Sequence, residues 1–283
     1  TYYGAGMLST EMWSSEYDGG TMEDSTKDSV LDMIETIYLL EDHMEDYGVE
    51  ITEEELASIE EAAQQFMSDN SNKAIRQLGA TEEYVAEMLR MYTIEYKMQN
   101  AIYDASEATV TDEEAAQRTF SYFTVSTTSG TDEEGNSVEY TDEEKEAFAQ
   151  EMETIAADAK EDFDGVAEDN GYTVSTYTYG ADDTGMDEAV IEASDALAEG
   201  EVSDLITTDS YYYVVRLDDE FDEEATEQEK ETLLNQKKSE EYTEICDGYK
   251  EEATFEVNEE EWAKVKFDRL FGVTTSTDDT TEE

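Results

Sequence analysis

Proline is absent from all 283 residues, and cysteine and histidine occur only once each. An average composition of about 5% would give roughly 14 prolines in a chain of this length. Their absence indicates either a chain that avoids slow X-Pro isomerisation in its own folding or a compositional bias of the lineage, and we favour the bias. One cysteine excludes an intramolecular disulfide, and one histidine excludes a Ser-His-acid triad or metal site built on several histidines.

Positive charge is scarce as well. The chain has 16 Lys and Arg against 78 Asp and Glu, a formal net charge of −62. Nucleic acids and anionic membrane surfaces are bound largely through Lys and Arg, so we expect binding to neither. No apolar run approaches the roughly 18 residues that a membrane-spanning helix needs. Gly-rich phosphate loops, CxxC pairs and HExxH helices are also missing, which disfavours the enzyme classes built on them.

Aromatic and other apolar residues are plentiful enough for a packed core. Hydrophobic residues make up 38% of the chain and aromatic residues 11%, whereas disordered chains are poor in aromatics. We therefore predict a globular protein with an acidic surface, apart from a disordered tail at residues 274–283. Cys246, at an apolar helical position, is predicted to be a small buried hydrophobe, and His43 is predicted to lie on the polar side of a helix.

Apolar residues recur at helical spacing in three segments near the beginning, at residues 30–44, 56–67 and 84–102. Several predicted helix starts carry Thr followed by Glu three positions later, the pattern of a capping box. These pairs are Thr52 with Glu55, Thr111 with Glu114 and Thr141 with Glu144, while Thr81 is a simpler cap. The first part of the chain is therefore predicted to be helical.

Period-two alternation begins near residue 119, with Phe120, Tyr122 and Thr124 on one face of a predicted strand. After it we predict a polar loop holding Gly130 and Gly135 and then, in chain order, a helix at 148–166, a strand at 172–179, a helix at 186–197, a strand at 211–217, a long polar helix at about 226–250 and a short turn around Trp262. Helical segments thus bracket a small β-α-β-α-β module, and the fold class is predicted to be α+β.

Two segments carry a resemblance to a known family. Residues 196–203, ALAEGEVS, are similar to the "A-x-L-x-x-G-E-V-S" turn of parvulin-type foldases of the PrsA and SurA kind, and residues 207–217, TTDSYYYVVRL, resemble the closing "T-x-x-G-Y-H-I-I-K-L" strand. Residues 162–167, DFDGVA, resemble the family's "F-x-x-L-A" helix end. In that family, helices from both ends of the chain form one peptide-holding domain, and a parvulin module is inserted between them.

The resemblance implies a discontinuous helical chaperone domain. Its parts would be residues 1–113 and 222–273, the parvulin-like module would be residues 114–221, and residues 274–283 would be the disordered tail. It also implies an extracellular or cell-surface location with lipid anchoring. The chain begins at Thr1 without Met, so we expect that an N-terminal export segment was removed.

The resemblance places six positions of this chain on the parvulin site. The two histidines of an active parvulin fall on Tyr122 and Tyr213, and the Met and Phe that hold the proline ring fall on Met186 and Val190. Two positions match hydroxyl residues beside the second histidine, Thr208 and Ser210. The family's Cys or Asp position falls near Tyr172 or Thr173 without a firm alignment, and the Gly-rich stretch before Met186 is missing. We therefore assign no catalytic residue, metal or cofactor.

The residues allow three interpretations. The favoured one is a chaperone that holds unfolded exported polypeptides against Met and Tyr side chains, with a module that lacks isomerase activity, because an X-Pro barrier of about 20 kcal/mol requires a well-shaped site. The second is an active peptidyl-prolyl isomerase that uses tyrosines in place of histidines. The third is a surface scaffold or adhesin. The sequence alone leaves open whether these Met and Tyr residues form a groove or helix-packing core.

Overall fold

The computed structural model describes residues 10–17, 19–131 and 137–267. It is 59% helix and 14% strand, which confirms the α+β class. The chain divides into two compact units, one made of residues 1–107 and 238–283 and the other of residues 108–237. The second unit thus also includes residues 108–113 and 222–237, two segments that the sequence had assigned to the helical domain. Within the described ranges, no helix is long and apolar enough to cross a membrane.

The helices and strands follow one another as predicted in outline. The helices are α1 (Thr10–Trp13), α2 (Met22–Asp42), α3 (Glu53–Asp69), α4 (Asn72–Leu78), α5 (Glu82–Ala105), α6 (Asp112–Ala115), α7 (Asp142–Ala159), α8 (Phe163–Asp169), α9 (Glu188–Asp195), α10 (Glu223–Glu252) and α11 (Glu259–Trp262). The strands are β1 (Glu16–Tyr17), β2 (Gly20–Thr21), β3 (Arg118–Ser126), β4 (Ser129–Thr131), β5 (Ser137–Glu139), β6 (Ser175–Tyr179), β7 (Ile206–Thr207) and β8 (Tyr211–Asp219).

Threonine caps begin the helices where the sequence predicts them. Thr52, Thr111 and Thr141 each accept from a backbone N–H three residues later, and the glutamate there accepts from the threonine N–H, so all three capping boxes are confirmed. Thr81 caps α5 more simply, by accepting from the Tyr84 N–H. Thr21 forms a further box with Asp24, which the sequence analysis missed because Asp replaces the usual Glu or Gln.

The core of the first unit forms where α2, α5 and α10 contribute buried apolar residues. Its fully or nearly fully buried members are Ile37, Leu40, Ile94, Met98, Ile102 and Cys246. Cys246 is 5% exposed, which confirms the prediction of a buried small hydrophobe. His43 makes more side-chain contacts than predicted. Its ring stacks on Tyr249 at 3.7 Å between centroids, and its Nδ1 lies 2.8 Å from an Asp46 carboxylate oxygen.

A buried lysine fixes the C-terminal part of the first unit. Lys27 on α2 donates from Nζ to the carbonyls of Trp262 and Val265, each at 3.1 Å, and its ammonium lies 5.4 Å from the Trp262 ring centroid. A buried ammonium needs such acceptors to offset its lost hydration. The segment containing α11 is thereby attached to α2.

The second unit is built on a four-stranded antiparallel sheet with the order β6-β3-β8-β7. Successive side chains of a strand point to opposite faces, so this sheet has two distinct sides. One side packs against α7 and α8 through Phe123, Val214, Met152 and Phe163. The other side packs against α9 through a second cluster of buried residues: Phe120, Tyr179, Val190, Ile206, Val215 and Leu217.

Several predicted boundaries need correction. The single helix predicted at 148–166 is two helices, because α7 ends at Ala159 and Asp162 caps a new helix by accepting from the Gly165 N–H. Much of the predicted polar loop is a hairpin, in which β4 pairs with β5. Strand β7 was not predicted, since two residues give no periodicity. The predicted disordered tail, residues 274–283, lies outside the described residues.

Candidate functional site

Tyr122 and Tyr213 lie close together on the sheet face that packs against α9. The register places Tyr122 opposite Val215 and Tyr213 opposite Thr124, so both rings point to the same side of adjacent strands. Their ring centroids are 6.0 Å apart, and both rings are half-buried against the Phe120 and Val190 cluster. The sheet therefore brings together the two positions that the resemblance assigned to histidines.

A third tyrosine extends this row toward solvent. Tyr211 is exposed, and its ring meets that of Tyr213 edge-on at 6.2 Å between centroids. Burial raises the pKa of Tyr213 above its ordinary value of 10.0. The Tyr213 phenol therefore stays protonated near neutral pH, where it can donate a hydrogen bond and cannot act as a base.

Met186 contacts the same cluster from the loop between β6 and α9. The sequence predicted that Met186 begins this helix. It lies just before the helix instead, because Asp187 is the N-cap of α9. Asp183 holds this loop, since its Oδ1 accepts from the Tyr177 hydroxyl at 2.8 Å and from the Gly185 N–H at 3.0 Å. A Cβ atom at Gly185 would lie 2.5 Å from the Tyr177 hydroxyl oxygen, so a larger residue there would displace that hydroxyl. Met186 is thus positioned by a fixed loop.

Tyr177 and Asp183 were not assigned to the site from the sequence. Burial and the hydrogen bond to Asp183 raise the pKa of Tyr177 to about 12. The Tyr177 ring contacts Phe120 at 5.6 Å between centroids, next to Tyr122 in the same cluster. The signal was present in the alternation of residues 175–179 and the Asp-x-Gly turn at 183–185.

Val190, assigned from the resemblance to the proline-holding Phe position, is not at the surface. Its side chain is 0% exposed, because α9 turns it toward Val215 and Leu217 of the sheet. A bound peptide could touch it only if α9 moved. The structure therefore corrects its role from peptide contact to core packing beneath the tyrosines.

The two hydroxyl positions lie at the turn between β7 and β8. Thr208 accepts from the Tyr211 N–H at 3.1 Å and donates to the Tyr211 carbonyl at 3.0 Å, so its side chain closes the turn. Ser210 is exposed, and its carbonyl accepts from the Thr127 N–H at 2.9 Å. Both residues lie beside the start of the tyrosine row, and Thr208 has a structural role there.

The chemistry of this surface follows from its side chains. The only histidine of the chain, His43, belongs to the first unit, and the only cysteine is Cys246. Tyr122, Tyr213 and Met186 present phenol rings and a thioether, which suit contact with apolar and aromatic side chains. Because Val190 is buried and the two tyrosines pack together, these residues form a half-buried aromatic surface.

A second aromatic surface lies on α5 in the first unit. Tyr84, Met88, Tyr92 and Tyr96 recur at every fourth position and are 66%, 55%, 45% and 67% exposed. Residues four apart lie one above another on a helix, so they form a stripe, which we call the α5 stripe. The opposite side of α5 is buried through Ile94, Met98 and Ile102. The alternative that these Met and Tyr residues form helix-packing core is thus wrong for the stripe.

Two grooves lie between α3 and α5 along this stripe. One, of about 380 Å³, is lined by Ile59, Ala62, Leu89, Tyr92 and Tyr96, with Glu55, Ser58 and Thr93 beside them. The other, of about 700 Å³, contains Leu56, Ile59, Tyr84 and Ala86 and carries charged residues around them. Large exposed apolar surface of this kind usually marks a site of interaction.

A segment of the second unit matches a known protein family. Residues 131–220 match the family model described as the PPIC-type PPIASE domain. The matched range includes Met186, Val190, Thr208, Ser210 and Tyr213, while Tyr122 precedes it. The comparison with curated proteins gives no significant match.

Solved structures of foldases and chaperones are similar to this chain at low identity. The foldase PrsA from Streptococcus pneumoniae is 20% identical over 84% of this chain and 88% of its own, with a TM-score of 0.36. PrsA from Bacillus cereus is 19% identical over 86% and 93%, with a TM-score of 0.34. A structure from a study of two SurA-like chaperones of Campylobacter jejuni is 8% identical over 76% and 81%, with a TM-score of 0.28. The predicted parvulin module is confirmed by the family match, and this chain contains a PPIC-type domain within residues 131–220.

Proposed function

We propose that this protein is an extracytoplasmic chaperone that holds unfolded polypeptides, and that its PPIC-type module lacks isomerase activity. The observation that carries the proposal is the α5 stripe, four large apolar side chains left exposed on a helix whose opposite side is buried through Ile94, Met98 and Ile102. Flexible Met and amphipathic Tyr side chains adapt to many partners, as broad binding of unfolded chains requires.

The inactivity of the module is inferred from three positions. Tyr122 and Tyr213, which the resemblance assigns to the histidine positions, pack together, and Val190 is enclosed in the core. Isomerisation requires a site that is more complementary to the twisted amide than to either planar form. We expect these residues to contact peptide weakly, through Tyr122, Met186 and Tyr213, without stabilising the twisted state.

Two assays on the purified chain test the proposal. An unfolded client protein is diluted from denaturant and its aggregation followed by light scattering, and the cis-trans exchange of a short X-Pro peptide is followed in parallel. We expect delayed aggregation together with the uncatalysed exchange rate. Aggregation unchanged by a molar excess of the protein would contradict the chaperone proposal.

The active isomerase remains a second candidate because the structure brings Tyr122 and Tyr213 together at the assigned histidine positions. In that case the intact protein would accelerate exchange well above background, and Tyr213→Ala would abolish the acceleration while circular dichroism showed the module still folded. A surface scaffold or adhesin would affect neither aggregation nor exchange.

The extracellular or cell-surface location and lipid anchoring are part of the proposal and derive from the resemblance alone. The first thirty codons of the full-length gene test them. The expected result is a signal peptide that ends at a lipid-acceptor cysteine. A reading frame that encodes neither a signal peptide nor such a cysteine would contradict the proposed location and anchoring.

A further inference from the structure

The larger groove beside the α5 stripe combines an apolar floor with an acidic rim. Leu56, Ile59 and Tyr84 contribute apolar surface, and the charged residues that line the groove are Glu60, Glu82, Glu83, Glu87 and Arg90. We call it the α3–α5 groove. Its four carboxylates come from two helices, and its lining also includes the guanidinium of Arg90.

The single cation of the groove is already neutralised. Arg90 donates to both carboxylate oxygens of Glu41, at 2.7 and 3.0 Å, and to both of Glu87, at 3.1 Å each. At the smaller groove, the lining residue Glu55 accepts from Lys97 Nζ through both carboxylate oxygens, each at 2.8 Å. Neither cation is left to attract an acidic ligand.

Among the described residues, three rim carboxylates have no cationic partner. Within the described part of the chain, Glu60, Glu82 and Glu83 form no ion pair with Lys, Arg or His. Negative charges along a groove with low-dielectric walls make the local electrostatic potential more negative, which concentrates cationic ligands there. The groove is therefore suited to a ligand that carries apolar and cationic side chains together.

We propose that the α3–α5 groove selects unfolded segments in which aromatic or aliphatic side chains are flanked by Lys or Arg. The proposal rests on the chaperone function above and adds the class of client. An apolar side chain would bury against Leu56, Ile59 and Tyr84 while cationic neighbours reach Glu60, Glu82 and Glu83. Acidic segments are rejected at the same rim. A second copy of this chain is disfavoured as the occupant, since each copy carries a net charge of −62.

The test compares three fluorescent peptides with one shared aromatic and aliphatic core and flanks of Lys, Gln or Glu. None contains proline, so the PPIC-type module has no X-Pro bond to recognise. Binding to the full-length chain is measured by anisotropy in low salt and again near 1 M salt, where the screening length falls to about 3 Å. The Lys-flanked peptide is expected to bind at least about tenfold tighter than the Glu-flanked peptide in low salt, with most of the difference lost in high salt.

Overall charge alone would also attract a cationic peptide, so a matched pair of variants separates the groove from the rest of the surface. One variant carries Glu60→Gln, Glu82→Gln and Glu83→Gln. The control carries Glu143→Gln, Glu146→Gln and Glu153→Gln on α7, three exposed positions of the second unit. Both variants remove the same charge, but only the first is expected to weaken the Lys-flanked peptide by about tenfold, while leaving the Gln-flanked peptide unchanged.

The apolar part is tested with Tyr84→Ser, with Tyr17→Ser as the control, since both tyrosines are more than half exposed. Tyr84→Ser is expected to weaken all three peptides and Tyr17→Ser none. The proposal is overturned by equal loss in the two triple variants, by equal binding of the Lys- and Glu-flanked peptides, or by a Tyr84→Ser variant that binds normally. It is also overturned if sedimentation shows a dimer that Tyr84→Ser dissociates.

These results distinguish the selectivity from the chaperone function itself. If aggregation of a client is still delayed while the peptides show no preference for charge, only the selectivity is wrong. If the protein neither delays aggregation nor binds any of the peptides, the chaperone function is wrong as well.

Discussion

The tyrosines of the sheet and those of α5 are the same residue type in opposite situations. Tyr122 and Tyr213 are half-buried, with ring centroids 6.0 Å apart over a closed apolar cluster. Tyr84 and Tyr96 are 66% and 67% exposed and lie along grooves. The family resemblance directs attention to the first pair, whereas the exposed area available to a client lies with the second.

This difference separates residues that maintain a fold from residues that can bind a partner. A tyrosine packed against its neighbours already contributes its contacts to the folded state, so a peptide gains little by touching it. An exposed tyrosine gains its contacts only when a partner arrives. Substitutions in the sheet should therefore affect stability first, and substitutions along the α5 stripe should affect binding first.

The largest expected effect is the loss of a sheet core residue. Phe120 is 0% exposed, and Phe120→Ala is expected to lower the free energy of unfolding by about 3 to 5 kcal/mol, because it leaves a cavity in addition to the lost burial. Tyr96→Ala on the stripe should stay within about 0.5 kcal/mol of the parent. Urea denaturation followed by circular dichroism measures both. Similar losses of unfolding free energy in the two variants would contradict the distinction between the sheet and the α5 stripe.

A smaller effect is expected from an attempt to restore the parvulin site. Val190→Phe adds volume to a fully buried position, which is expected to cost about 1 to 3 kcal/mol through overpacking. Combined with Tyr122→His and Tyr213→His, it should give no X-Pro isomerisation above background. The double histidine variant without Val190→Phe is the control for stability. Strong activity of the triple variant would show that the module needs only these side chains.

The smallest effect concerns two capping glutamates, one in each unit. Hydrogen bonds from Lys97 and Thr52 lower the pKa of Glu55 to about 2, and those from Lys237 and Thr111 lower the pKa of Glu114 to about 2. A lowered pKa in the folded state contributes stability above the ordinary value of 4.5, and this contribution disappears as the pH falls toward 2.

Glu55→Gln and Glu114→Gln should each lower the melting temperature slightly at pH 6 and match the parent near pH 2. Thermal scans across this range are the measurement, with Glu153→Gln, whose carboxylate forms no ion pair within the described residues, as the control. A difference from the parent that persisted unchanged at pH 2 would mean that the ionised carboxylates are not its source. Because Glu55 joins α3 to Lys97 of α5, only Glu55→Gln is also expected to weaken client binding.

Much of the local structure was predictable from the sequence. Helices begin as predicted at Thr52, Thr81, Thr111 and Thr141. The reason is that the hydrogen bond from a backbone N–H to the Thr hydroxyl three residues earlier is a local interaction. The strand around Tyr122 was predicted from its alternation, and the turn at residues 196–203 indicated the PPIC-type module. Boundaries that depend on distant packing, such as the break between α7 and α8, were missed.

The sequence by itself determined which residues share a helix face or a strand face, because these periodicities are properties of the backbone. Only the tertiary structure decided what covers each face. It enclosed Val190 beneath α9, packed Tyr122 against Tyr213 and left Tyr84, Met88, Tyr92 and Tyr96 exposed. The sequence could not distinguish these outcomes, because α5 is apolar on more than one side and burial depends on which helices lie beside it.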